Sequence, residues 1–360
     1  MVMAPKFPFK STLILGIIGF AAVVLPILLI KAGIIDQYSA RIITIGGVNA
    51  IMAMSVNMIV GITGQLSLGQ AGFLAIGAFS CIFFHFDLGL SLPLAVMCAV
   101  LVTTFAGFLI GFPVLKLSGD YLAIVTLGFG EIIRVVFINL KAITGGPNGR
   151  QYAYLEKGDK LSFNPMVYIP DNHWLGKFFT EREFAFVVTT ASLIIILALL
   201  QNFLRSTYGR AIKACREDEI AANACGINIF RYKMLGFVIA AFIAGIGGCL
   251  FAMVNGHVQP RAAEFLRSID FLIYVVLGGM GSMTGSILAA YVLTYLQEFL
   301  RFLQDYRLLI YPVILIIFML FRPKGLLGMK EFSFIGFINK ICIVIPRFFK
   351  KKTGEKNEQP

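Results

Sequence analysis

Runs of about 20 apolar residues recur along almost the whole chain, the length a helix needs to cross a bilayer. With no water in the hydrocarbon core, such a run must satisfy its own backbone hydrogen bonds, which it does as a helix. Candidate spans are 11–30, 42–61, 67–84, 92–112, 121–140, 184–204, 234–254, 268–280, 284–303 and 307–321. The expected fold is therefore an all-α polytopic integral membrane protein with about ten transmembrane helices. The third, eighth and last spans are short or Gly-interrupted, the pattern of tilted, broken or re-entrant segments. Only 14% of the 360 residues are charged, against about 25% in soluble domains. No soluble domain of ordinary size is left over. A membrane-spanning body occupies residues 1–329 and a basic tail residues 330–360.

Charge sets the expected orientation. Lys6 and Lys10 precede the first run, Ser11 to Ile30, which is too long for a signal-peptide core and is read as a retained span. With that end inside, ten crossings place both termini in the cytoplasm. The loop 205–233 is then also inside, with six Lys/Arg, and so is the tail from Arg322, with nine. The outer segment 141–183 carries six basic residues, nearly neutralised by five acids. The net charge of +12 thus follows the positive-inside rule and argues against a nucleic-acid partner. In the tail, Phe332, Phe334, Phe337 and Ile341 alternate with Lys340 and Arg347, which suits an amphipathic helix on anionic lipid. The six cysteines show no paired spacing and the three histidines are far apart, so neither a disulfide framework nor a metal site is expected.

Two polar, Gly-rich stretches lie at membrane depth. One runs from Gly61 to Gly72 (GITGQLSLGQAG), the other from Gly278 to Gly285 (GGMGSMTG). Irregular backbone in a membrane survives only where it is buried in protein or lines a wet cavity. Gln65, Ser67 and Gln70 are accordingly candidate pathway residues. The competing reading is close helix packing, which the Gly281-x-x-x-Gly285 spacing also suits. Glu131 and Arg134 are one helical turn apart and form either a gate or substrate contact, or a structural ion pair. Asp270 is placed as a helix-start acid. The loop 141–183 is either a solvated connector or a docking surface for an external partner, with Trp174, the only Trp, near its end.

The loop from Arg205 to Lys233 is a polar island between apolar runs. Its basic residues and the acids Glu217, Asp218 and Glu219 predict two short helices: one through Ala211 to Arg216, the next capped by Asp218 and stopped by Gly226. Ala221, Ala222 and Ala224 would let another surface approach closely. No G-x-x-x-x-G-K-[ST] motif is present, since Gly176-Lys177 is followed by Phe178. Any ATP-driven work must come from another chain, and no cofactor is expected on this one.

Seven motifs in order then point to a family: Gly64-Gln-Leu-Ser-Leu-Gly-Gln-Ala-Gly72, the stretch Gly119 to Arg134, and Thr144-Gly-Gly-Pro-Asn-Gly149. Tyr208-Gly-Arg-Ala211, Arg216-Glu-Asp-Glu219, Val276-Leu-Gly-Gly-Met-Gly-Ser282 and Phe321-Arg-Pro-Lys-Gly325 complete the series. In this the chain resembles the branched-chain amino-acid ABC permeases of the LivM type. In such importers a cytoplasmic E-A-A-x-x-x-G loop docks into the ATPase; here Ala221 to Gly226 matches, with the acid, Glu219, one place early. The resemblance implies ABC ATPase subunits, a second permease subunit, an extracytoplasmic substrate-binding protein, and alternating access in the plasma membrane. It assigns the coupling surface to Arg210, Glu217, Asp218, Glu219, Ala221, Ala222 and Gly226. The alternative from another class is a self-contained secondary transporter or channel using Glu131 and Arg134 in ion coupling. An integral-membrane enzyme is disfavoured, because no acid–His or metal constellation is visible.

Overall fold

The computed structural model describes residues 36–117, 119–151, 154–155, 161–162, 181–322, 325, 326 and 328. The expected span 11–30, Trp174 and the tail 330–360 lie outside them. Helix α1 (Gln37–Val56) continues as wider π-helical turns over Asn57–Thr63 and stops at Gly64, whose φ of 72° breaks the helix. An irregular stretch leads to α2 (Gln70–Ile82), which also ends in π-helical turns, Phe83–Asp87. Helices α3 (Leu92–Val114), α4 (Asp120–Asn139) and the single turn α5 (Lys141–Thr144) follow. Next come α6 (Glu181–Arg205), α7 (Thr207–Glu217), α8 (Glu219–Ala224) and α9 (Ile229–Asn255). The described chain closes with α10 (Phe265–Gly278), α11 (Met283–Phe299) and α12 (Arg307–Phe321).

Among the described residues, six helices are long and apolar enough to span a membrane: Tyr38–Thr63, Gln70–Asp87, Leu92–Val114, Asp120–Asn139, Phe184–Arg205 and Ile229–Asn255. The expected spans 268–280 and 284–303 are the two arms of a pair bent by 120° at the break between them. The bend falls where Gly279 (φ 107°) and Gly281 (φ 91°) take backbone conformations closed to most residues. Counting the pair as one span gives up to seven; α12 is shorter, Leu309–Phe321 by its apolar part. Asp270 is not at a helix start, as its position had suggested. α10 begins five residues earlier, at Phe265, behind a short turn, Pro260–Ala263.

Helix α9 is the hub, packed against α1, α2 and α3, while α6 and α11 pack on α1. Small residues make this possible. A Cβ on Gly248 would lie 2.2 Å from the Leu74 carbonyl oxygen, and one on Gly77 would lie 2.6 Å from that of Gly245. Lipid tails are as apolar as side chains, so close backbone approach and dispersion, rather than water exclusion, hold such helices together. The apolar residues left outward, among them Leu101, Phe105 and Phe108 on α3 and Ile124, Ile132 and Val135 on α4, suit a hydrocarbon surround.

At one end of the bundle the first residues of the 141–183 loop fold back onto the helices. Arg150 pairs antiparallel with Val258, in a two-residue ladder between β1 (Arg150–Gln151) and a strand at His257–Val258. Its guanidinium holds both oxygens of Asp87, at 2.6 and 2.5 Å, and the Ile143 carbonyl at 2.8 Å. The Asp87 carboxylate raises the Arg150 pKa above its ordinary value. That beginning is therefore no free connector: it ties the ends of α2, α4 and α9 together.

Two tests follow. Gly248→Ala should lower the melting temperature of the detergent-solubilised protein by several degrees, as overpacking costs about 1–3 kcal/mol. Gly128→Ala, where a Cβ meets nothing within 4 Å, should be neutral or stabilising; equal effects would refute the packing account. In a double-mutant cycle of Asp87→Asn and Arg150→Gln, melting should show a coupling of about 1 kcal/mol or less, because the pair is partly exposed.

Candidate functional site

The stretch between Gly64 and Gln70 leaves the loop-205–233 end of the bundle and climbs to its middle. There the backbone leans on α4. Leu68 N–H donates to Thr126 Oγ1 at 3.0 Å, and a Cβ on Gly69 would stand 2.6 Å from the Thr126 carbonyl. A Cβ on Gly72 would stand 3.2 Å from the Cα of Gly130. Thr126 and Gly130 occupy the middle of α4, so α2 starts against the middle of that helix. A second helix, α10, starts beside it. Ser268 Oγ, in the first turn of α10, accepts from Ala71 N–H at 3.0 Å, and Glu131 Oε1 accepts from Phe265 N–H at 3.4 Å. Unsatisfied N–H groups give a helix start a partial positive charge. Here a hydroxyl serves one start and a carboxylate the other.

Glu131 is thus held twice, because its other oxygen pairs with Arg134 Nε at 2.6 Å. Both side chains are half-buried. The predicted adjacency of Glu131 and Arg134 is present, and α10 is an additional partner that their spacing could not indicate.

Gln65, Ser67 and Gln70 are 6%, 2% and 1% exposed. Among the described residues Ser67 Oγ finds no hydrogen-bond partner, and each glutamine amide has an end without one. Ser55 Oγ lies 2.9 Å from Gln70 Oε1 and 2.7 Å from the Ala240 carbonyl. Thr63 Oγ1 lies 3.2 Å from Gln65 Oε1 and 2.6 Å from the Ile59 carbonyl. A hydroxyl has one proton, and the shorter contact with a carbonyl claims it each time. Each amide must then turn its NH2 to the hydroxyl, which leaves a carbonyl oxygen as the unmatched group. Burying an unmatched polar atom costs about 1–3 kcal/mol. Three such residues within one six-residue stretch are a concentration that packing alone does not ask for. Ser55 and Ser268, which organise this stretch, carry no signal in the sequence, each being one hydroxyl in an apolar run; Thr126 falls within the Gly119–Arg134 motif, which does not tell its role.

The second site lies on the loop. Ser206 Oγ caps α7 through Gly209 N–H, and Asp218 Oδ1 caps α8 by accepting from Ile220 and Ala221 N–H, both at 2.9 Å. Gly226, with φ 81°, turns the chain just past α8. Glu219 pairs with Lys233 Nζ at 2.5 Å, fixing α8 to the start of α9. The Asp218 cap and the Gly226 stop stand where the sequence places them, whereas α7 starts four residues before the expected Ala211, at Thr207, because Ser206 caps it there. Arg210, Glu217, Asp218, Glu219, Ala221 and Gly226 are exposed, whereas Ala222 is buried and cannot belong to an outer face. Ile220, which stands where the E-A-A-x-x-x-G pattern has its acid, projects from α8 and is 84% exposed. Burial pushes the nearby Cys215 thiol above its usual pKa, so it packs as a neutral group. Among the described residues no three His, Cys, Asp or Glu side chains gather as metal ligands.

The family profile described as "Branched-chain amino acid transport system / permease component" matches residues 38–319. The high-affinity branched-chain amino acid transport system permease protein LivM of Salmonella typhimurium is 39% identical over 306 residues, 82% of this chain and 72% of its own length. LivM of Escherichia coli K12 is 38% identical over 304 residues, with the same coverages. BraD of Pseudomonas aeruginosa is 29% identical over 302 residues, 80% of this chain and 94% of its own. LivH of Salmonella typhimurium, a permease protein of the same named system, is 28% identical over 191 residues, 51% of this chain and 60% of its own. No solved structure matches significantly. With a family match across most of its length and several apolar helices of spanning length, this multi-pass membrane chain belongs to the branched-chain amino acid transport permease family.

Proposed function

We propose that the chain is the membrane-spanning permease subunit of an ABC importer for branched-chain amino acids, working by alternating access. The observation that carries this reading is α8: a short helix capped at its start, pinned by an ion pair, and presenting an 84% exposed Ile220 among charges. A large apolar side chain held out rigidly beside Glu217, Asp218 and Glu219 is an anchor for a soluble partner. A recess lined by Asn223, Gly226, Ile227 and Asn228 opens next to it. The partner is the ATPase, because the chain carries no nucleotide-binding motif of its own, and it needs no cofactor.

A second permease subunit pairs with this one in the membrane, as the LivM and LivH names of its relatives suggest, and an extracytoplasmic binding protein delivers the substrate. Ten spans in all, with both termini and the α7–α8 loop in the cytoplasm, agree with the basic charge of the loop and tail. The pathway follows Gln65, Ser67 and Gln70 to the paired helix starts, with Glu131 and Arg134 beside them. Discontinuous helices meeting at mid-depth are a recurrent way for transporters to hold a polar solute.

Purification of the tagged chain from its native membrane should bring down an ABC ATPase; a chain that carries out uptake alone in vesicles would refute the reading. Gly226→Trp, or reversal of Glu217, Asp218 and Glu219 to lysines, should abolish uptake and ATPase association while membrane levels hold. Gln70→Leu keeps the volume and removes the unmatched polar atom. It should leave melting unchanged or raised yet lower uptake by about tenfold; undiminished uptake would remove Gln70 from the pathway.

A further inference from the structure

The two Gly-rich stretches meet at the end of the bundle that carries the α7–α8 loop, and a residue of that loop joins them. Arg216, in the last turn of α7, lays its side-chain stem across Gly64, where a Cβ would stand 2.8 Å from its Cγ. Its Nη1 donates to the Gly61 carbonyl, in the π-helical end of α1. The same nitrogen would be 3.4 Å from a Cβ on Gly281, in the bend between α10 and α11. Asn57, one turn before Gly61, accepts from Gly281 N–H at 2.9 Å. The chain beyond α12 closes on this point too, with Leu326 N–H donating to the Leu277 carbonyl at 2.7 Å.

The carbonyls at a helix end have no partner within the helix and favour a cation. A local residue could supply that; here it comes from 155 positions away. Arg216 is half-buried and makes no ion pair among the described residues, so its charge is stabilised chiefly by this carbonyl and the negative end of α1. Only Glu217 separates it from Asp218, which ends α7 and caps α8. A displacement of α8 therefore reaches Arg216 through two peptide units, with no loop between to absorb it.

We infer that Arg216 is the positioning residue that carries movement of the α7–α8 loop into the bundle. It holds the π-helical end of α1 against the α10–α11 bend in this state and lets them part when the loop shifts. The mechanism deepens the importer reading and rests on it. An equilibrium between two arrangements moves only by the difference in contact between them, and the contact that differs is the hydrogen bond to Gly61.

The test uses the assembled transporter, purified and reconstituted in vesicles with its binding protein and radiolabelled leucine. Arg216→Met keeps the stem over Gly64 and removes the donors. It should cut uptake by about tenfold or more while the complex stays assembled and hydrolyses ATP near the native rate. Arg216→Lys, which retains a donor, should recover most of the uptake. Arg216→Gln, too short to reach Gly61, should uncouple like the methionine form and covers its failure to accumulate. Native uptake in Arg216→Met overturns the proposal, as does ATP hydrolysis falling in parallel with uptake, which would make Arg216 part of the docking surface. Loss of both Met and Gln forms from the membrane would assign it to folding and also overturn it. Absence of an ATPase from the native preparation would overturn the importer reading itself.

Discussion

Inside the hydrocarbon layer a backbone N–H or C=O without a partner has no water to turn to. This chain nevertheless interrupts its helices at Gly64–Gly69 and at Gly279–Ser282. Everything distinctive about its interior answers that constraint. Thr126 and Ser268 accept from backbone N–H groups around the first break; Asn57 and Arg216 serve groups at the second and at the end of α1. Glycines at the contact points let backbone lie directly against backbone, as Gly69 does on Thr126. The interruptions are thus built features, held by neighbouring helices.

The breaks divide the molecule into three levels. One end is tied by Arg150 to Asp87 and Ile143. The middle gathers the starts of α2 and α10 with the unmatched polar groups of Ser67 and Gln70. The other end carries the α7–α8 loop and the knot around Gly61 and Gly281. A polar middle between two separately fastened ends suits a protein that opens one end at a time. The fastenings differ in kind: a two-oxygen ion pair with a short β-ladder at one end, and uncharged backbone groups held by Arg216 and Asn57 at the other.

Much of this was legible in the sequence for definite reasons. Hydropathy marks a span because transfer into lipid depends on composition alone, so 92–112, 121–140 and 184–204 agree with α3, α4 and α6 within a few residues. Capping is equally local: Asp218 serves N–H groups two and three residues on, and Gly226 turns the chain by its own φ. Glu131 and Arg134 pair because a helix brings such neighbours together. The bend between α10 and α11 was only half visible, since glycines announce a break without its angle. Asp270 was misplaced because an acid's charge suits a helix start but does not locate one. That Ala222 packs inward was not legible, because a motif gives residue types and says nothing of which side of a six-residue helix packs on the bundle.

The sequence by itself determined the class of molecule, the six long spanning helices among the described residues, the cap and stop of its polar loop, and its family. These depend on interactions within a few residues, or on summed hydrophobicity, and both are read along one dimension. Tertiary structure alone decided that Glu131 serves α10, that Ser55 and Ser268 attend the start of α2, and that Arg216 reaches Gly61. Each joins residues far apart in the chain, through single hydroxyls, amides or carbonyls that carry no periodicity. Only the packing of helices around α9 brings such groups within hydrogen-bonding distance.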